Sequence, residues 1–241
     1  MGALYVVSDV HGYRDDLVRG LDRAGFSGGD ELWILGDLLD RGPDGIGVID
    51  LAMTLQEQAP GQVHVLMGNH EALALGRHRF PGSKLEDSWR VNGGKARDQE
   101  GLTERHLDWL GSLPLMARVG DYLLVHSDTT EYLSWGRSID EVNATVSAAL
   151  AVAGDLEAHW DVWARLTSRY GYARADGGEV AREVLGTYGG EVIIHGHSII
   201  GTLVDRPSKE VDQPLLYADD MVLDIDGGRY DGGPLLIVRL D

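Results

Sequence analysis

The sequence contains no cysteine, which excludes disulfides, thiolate metal sites and a cysteine nucleophile. Any metal must be held by nitrogen and oxygen. Lysine is almost as scarce, with only Lys84, Lys95 and Lys209. Positive charge is therefore nearly all guanidinium, which suits planar, forked phosphate contacts but is also what a simple compositional bias would produce. The formal net charge of −18 argues against a general nucleic-acid surface, because affinity for a polyanion comes from clustered Lys and Arg. No long apolar run is present either: residues 3–7 lack a basic flank and reach Asp9 too soon for a signal peptide or a membrane span. A cytoplasmic protein is the expectation. Proline is sparse, 7 against 33 glycines, a balance that suits tight turns rather than a linker. With 241 residues and 43% hydrophobic content, the chain can build one sizeable core, and one domain over residues 1–241 is expected.

What is there begins with alternation. Residues 3–7 read as a buried strand, 14–24 as an amphipathic helix closed by Gly25, 31–35 as a second strand, 46–58 as a second helix and 63–67 as a third strand. That order predicts parallel strands with right-handed crossovers, so their carboxyl ends share one edge of the sheet. Open α/β sheets bind ligands at this edge. Asp9 and His11 follow the first strand, Asp37, Asp40 and Arg41 the second, and Asn69, His70 and Glu71 the third. Further on, helical spacing returns at 101–113, 140–153, 160–168 and 179–185. A hairpin is predicted from 115–119 and 122–125, ending in His126, and another strand at 191–194 ends in His195, Gly196 and His197. The tail runs at 215–217, 221–225 and 235–240 read as antiparallel sheet.

These strand ends carry metal-ligand chemistry. Asp9 and His11 can clasp one cation, and Asp37 can bridge it to a second. Asn69, His126 and a histidine of the His195–His197 pair would complete that second site, since alternation in a strand points both imidazoles to one face. Mixed imidazole and oxygen donors suit Mn, Fe or Zn, with Mn favoured, better than Ca or Mg. A metal can lower the pKa of a bound water from about 15.7 to about 7, on the order of 12 kcal/mol at about 1.36 kcal/mol per unit. A hydroxide held by two such ions is the expected nucleophile. His70 is not needed as a ligand and is free to protonate a leaving oxygen, with Asp40 to orient it. Arg41 and Arg165 are candidates for gripping a phosphate. Taken singly, each pair has a plainer reading: a turn-capping Asp9, a satisfied His11, a salt-bridged Arg41, a solvated Arg165. Glu71 is expected to cap a helix starting near it or to bond neighbouring backbone, and Trp89, Trp109, Trp135, Trp160 and Trp163 to fill core or line a cleft.

The strings SDVHG at 8–12, GDLLDRG at 36–42, GNHE at 68–71, VHSD at 125–128 and HGHS at 195–198 together resemble the calcineurin-like metallophosphoesterases, and among them the compact serine/threonine phosphoprotein phosphatases. The resemblance implies an αββα sandwich, two divalent metals on Asp9, His11, Asp37, Asn69, His126 and His197, and His70 paired with Asp40. The family's glycine precedes its ligand, which selects His197 and leaves His195 behind the centre. It also implies phosphate contacts from Arg41 and from Arg165, whose Trp163-Ala164-Arg165 setting looks like the WxR segment of bacteriophage-type phosphatases. Ser8 stands where glycine is usual, VHSD departs from the usual His-Gly or His-Ala, and the segments 80–100 and 129–157 match nothing alignable.

The expected activity is phosphomonoester hydrolysis of the protein phosphatase type, on a phosphorylated protein or a small phosphoester, with no nucleic-acid polymer, membrane or regulatory subunit as partner. The related alternative is a dinucleoside polyphosphate hydrolase, a group that often lacks the acid at Asp40 and carries Asp where Glu71 stands. A noncatalytic module stabilised by metal is the alternative of another class. It would be expected to have lost His70, Asp40 and Arg41 first.

Overall fold

The short strands that end near Val7, Ile34 and Val65 are buried at almost every position, so both faces of their sheet need cover. The computed structural model, which describes residues 2–240, supplies it with a second sheet on one face and helices on the other. β1 (Leu4–Val7), β2 (Glu31–Ile34) and β3 (Val63–Val65) are parallel neighbours, linked through α1 (Arg14–Ala24) and α2 (Gly45–Gln58). α3 (Asn69–Arg79), α4 (Lys84–Val91), α5 (Ala96–Gly101) and α6 (Glu104–Gly111) follow. The hairpin of β4 (Met116–Val119) and β5 (Tyr122–Val125) starts the second sheet. After α7 (Tyr132–Trp135), α8 (Ile139–Ala151), α9 (Leu156–Leu166) and α10 (Gly177–Tyr188), that sheet continues with β6 (Val192–His195). α11 (Ile200–Leu203) then leads to β7 (Leu215–Tyr217) and β8 (Val222–Asp224), and the order is β4-β5-β6-β8-β7. β9 (Ile237–Leu240) returns to the first sheet, whose order is β3-β2-β1-β9.

Alternation along each strand divides the core in two. Val6, Trp33, Leu124 and Ile194 meet between the sheets. Their neighbours Val7, Ile34, Leu123 and Ile193 turn outward, onto a layer that includes Leu17, Ile49, Val146 and Val184 of the flanking helices. The result is the four-layer αββα arrangement, and both sheets contribute parallel strands whose carboxyl ends lie on one rim.

Two expectations need correction. The tail does not form one antiparallel sheet: β8 is antiparallel to β7 but parallel to β6, and β9 pairs antiparallel with β1 in the other sheet. The helix expected over 101–113 is shorter, because the Thr103 hydroxyl accepts from His106 N and starts α6 afresh after α5. The unaligned segment 80–100 carries two short helices, α4 and the start of α5, joined by turns. No helix among the described residues is long and apolar enough to cross a membrane.

Candidate metal centre

The rim concentrates backbone strain. Asp9, His11, Asp37, Asp40, Arg41 and His197 are six of the eleven non-glycine residues at positive φ among the described residues, a region that costs an L-residue about 1–2 kcal/mol. Sharp reversals at strand ends turn these side chains back across the sheet edge, and the surrounding ladder holds them there: His11 N donates to Asp37 O and Asp9 N to Gly36 O. Such clustering marks functional sites. Gly196 shows how tightly the two sheets meet, since a Cβ there would collide with Ser8 Oγ and Asp9 Oδ2.

The imidazoles are oriented from behind. His11 Nδ1 lies 2.9 Å from Leu39 O and His126 Nδ1 2.7 Å from Leu35 O. A carbonyl only accepts, so in each ring Nδ1 carries the proton and Nε2 presents a lone pair inward. His197 is turned the other way, with Nε2 3.2 Å from Thr167 O and Nδ1 buried without a partner. His11 Nε2 then faces Asp37 Oδ2 at 3.5 Å and Asp9 Oδ1 at 3.8 Å. His126 Nε2 faces Asp37 Oδ1 at 3.4 Å and Asn69 Oδ1 at 3.0 Å. Burial, joined by the charges of His70 and Arg41, holds His11 well below the ordinary histidine range, so acceptors confront acceptors. A cation between them reconciles that arrangement.

Asp37 sits at the middle, one oxygen toward His11 and the other toward His126. Burial and the neighbouring charges of Asp9 and Glu71 drive it well above the usual carboxylate range. Donor atoms of Asp37, His126 and His197 lie within 4.8 Å of one another, as do those of His11, Asp37 and His70. The donor set would suit two divalent cations, with Asp9, His11 and Asp37 able to hold one and Asp37, Asn69, His126 and His197 able to hold another. Glu71 is no part of it. Its carboxylate accepts from Asp37 N, Leu38 N and Gly68 N, bonding neighbouring backbone and fixing the start of α3.

His70 lies within ligating reach, yet both nitrogens are engaged: Nδ1 with Asp40 Oδ2 at 2.8 Å, Nε2 with Arg41 Nη2 at 3.3 Å. Burial and Arg41 hold it well below its ordinary pKa, while burial pushes Asp40 up to about 6. The other Asp40 oxygen accepts from Trp89 Nε1 and Lys95 N, each at 3.1 Å. Asp98 Oδ2 receives Asp40 N at 3.0 Å, and Gly93 O receives Arg41 N at 2.9 Å. The segment carrying α4 and α5 is thus a clamp on the Asp40–Arg41 turn. Tyr230, unnoticed in the sequence, meets His11 edge-on with centroids 5.1 Å apart and lies under the Arg41 guanidinium at 3.9 Å.

Arg165 is placed differently from expectation. Its guanidinium bonds Asp161, Glu131 and Ser134 and lies over Trp135, which ties it to α7 and to its own helix. Arg169, in the loop after α9, is the guanidinium that reaches the rim. It donates to the His197 carbonyl, its charge adds to burial in holding His197 well below the ordinary histidine range, and it borders a cavity of about 560 Å³ shared with Thr129 and Arg174. His195 stands behind the centre: Nδ1 meets Gly196 O at 2.7 Å and Nε2 meets Tyr217 Oη at 2.8 Å. Asp226, also missed, is buried with Oδ2 unpartnered, and burial plus the charge of Asp9 holds it well above the usual range.

Comparison with known proteins bears on the family and the fold. A symmetrical bis(5'-nucleosyl)-tetraphosphatase of Acidovorax sp. (strain JS42) is 34% identical over 165 residues, 65% of this chain and 50% of that protein. The corresponding protein of Dechloromonas aromatica (strain RCB) is 34% identical over 130 residues, 52% of this chain and 43% of its own. The chain therefore spans about half the length of the curated relatives it matches. The solved cold-active protein-tyrosine phosphatase of a psychrophilic Shewanella sp. shares the fold, with a TM-score of 0.74 at 21% identity over 100% of this chain and 76% of that one. Residues 3–201 match the family model of the calcineurin-like phosphoesterases, and the chain belongs to that family.

Proposed function

We propose that this metallophosphoesterase cleaves dinucleoside polyphosphates, using the rim described above. The observation that carries this reading is the sequence similarity to the symmetrical tetraphosphatases, joined to the cavity beside Arg169, which offers room for a group extending beyond the reacting phosphate. Two divalent cations on the six donors would supply an ionised water at neutral pH and offset charge on the phosphoryl oxygens. Arg41 and Arg169, rather than Arg41 and Arg165, grip the phosphate through forked hydrogen bonds. His70 takes up a proton from solvent as the anionic polyphosphate arrives and passes it from Nε2 to the leaving phosphate oxygen, while Asp40 holds Nδ1.

A second reading, phosphoprotein phosphatase, is favoured by the His70–Asp40 pair, whose buried 2.8 Å contact suits protonation of a strongly basic alkoxide. Diadenosine tetraphosphate and a phosphoserine peptide, each tried with Mn, Zn and Fe in turn, separate the two. The expected result is a kcat/KM at least about tenfold higher on the tetraphosphate, a difference near 1.4 kcal/mol in transition-state binding. Preference for the peptide would transfer the assignment to the second reading.

A further inference from the structure

The last residue of the VHSD motif, Asp128, is fully buried and stands well placed to act on the rim without touching it. Its Oδ2 accepts from Tyr170 N at 2.8 Å and its main-chain oxygen from Gly171 N at 2.9 Å. These are the first and second amides after Arg169. Its Oδ1 accepts from Ser198 Oγ at 2.7 Å, and Ser198 directly follows His197, whose carbonyl receives Arg169. The contacts close a ring: Asp128 to Tyr170, along the chain to Arg169, across to His197, along to Ser198, and back.

We propose that Asp128 is a positioning residue that sets the reach of the Arg169 guanidinium toward a bound phosphate; this rests on the reading of the rim as a phosphate site. Two features of the loop show that it is held rather than relaxed. Tyr170 has φ +64°, a conformation that a bulky residue keeps only when its surroundings impose it. Gly171 passes so close that a Cβ would collide with the Asp128 carbonyl oxygen, so glycine is required there for the second amide bond to form. An arginine left on an untethered loop would lose conformational freedom at each binding event, whereas a tethered one arrives oriented.

The test is the affinity of inorganic phosphate for the Mn-loaded protein, measured by calorimetry in a double-mutant cycle of Asp128→Ala and Arg169→Ala. Asp128→Ala is expected to weaken phosphate about tenfold alone and less than about twofold when Arg169 is already alanine, because its effect runs through that side chain. Asp128→Asn should restore most of the affinity, since an amide can accept from Tyr170 N and donate to Ser198 Oγ. Ser198→Ala, the milder change should Asp128→Ala fail to fold, is expected to weaken phosphate about threefold with the same dependence on Arg169. Equal losses in both Arg169 backgrounds, or unchanged affinity in Asp128→Ala and Ser198→Ala, would overturn the inference. A wild-type protein that binds phosphate in this pattern yet turns over no ester would overturn only the hydrolytic reading, while one that binds no phosphate would overturn both.

Discussion

His70 meets a carboxylate through one nitrogen and a guanidinium through the other, and the two pull its proton affinity in opposite directions. Burial and Arg41 win in the resting site, so the proton needed by a leaving group must come with the substrate's own charge. The benefit of that proton depends on what departs: a serine alkoxide is strongly basic, a nucleotide phosphate is not. With metals loaded, His70→Asn should lower kcat on a phosphoserine peptide by about 10²–10⁴-fold and on diadenosine tetraphosphate by distinctly less. Steady-state kinetics with metal content checked in parallel decides this, and equal losses on the two substrates would remove His70 from the role of acid. At this scale the place of Asp9, His11, Asp37, Asp40, Arg41, Asn69, His70, His126 and His197 on the rim was legible because each follows a strand whose apolar run announces where it ends. Arg169 was not. It lies past the end of α9, and its orientation depends on the left-handed Tyr170 and the close passage of Gly171, while Arg165, inside the regular helix with a tryptophan two residues before it, offered the more recognisable pattern.

Among elements, α3 and the α4–α5 segment show why periodicity fell short around the site. Every residue from Asn69 to Gly76 is buried, so α3 has no polar face to betray a helical period, and α4 is only 8 residues long. What α4 and α5 do could not be read at all, because the bonds from Trp89 and Lys95 to Asp40 join positions about fifty residues apart. The role follows once the contacts are known. Trp89→Phe keeps the ring and deletes one donor to a buried carboxylate, a loss of about 1.5–3 kcal/mol where the acceptor is charged. Since Asp40 acts through His70, the expected outcome is a kcat lowered about tenfold with phosphate affinity within about twofold of wild type, the opposite split from Asp128→Ala. A variant whose phosphate affinity fell in step with kcat would show that α4 acts on the binding arginines instead.

At the scale of the molecule, the rim exists because two sheets aim the carboxyl ends of their parallel strands at one another, which drives buried carboxylates together. Asp37, Asp224 and Asp226 are all held well above the usual range, burial first and carboxylate neighbours second. A carboxyl whose folded pKa is raised binds more protons native than unfolded, so its contribution to stability is complete below the unfolded value, about 3.9, and is lost as pH rises through the folded one. His11, His70 and His197, held below their ordinary values, run the other way: their contribution is present above about 6.5 and is lost as pH falls through the lowered values. A cation on Asp37 replaces the proton there and needs the imidazoles neutral, so both groups make metal binding stronger as pH rises. Manganese at about a hundred times its dissociation constant should stabilise the fold by about 2.7 kcal/mol, roughly 5–10 °C in melting temperature for a chain of this size. That gain, measured by calorimetry with and without a chelator, should be larger at pH 8 than at pH 6. A gain that shrank with rising pH would mean that the ions bind outside the crowded carboxylates, and that the strained turns at the strand ends serve some purpose other than holding them.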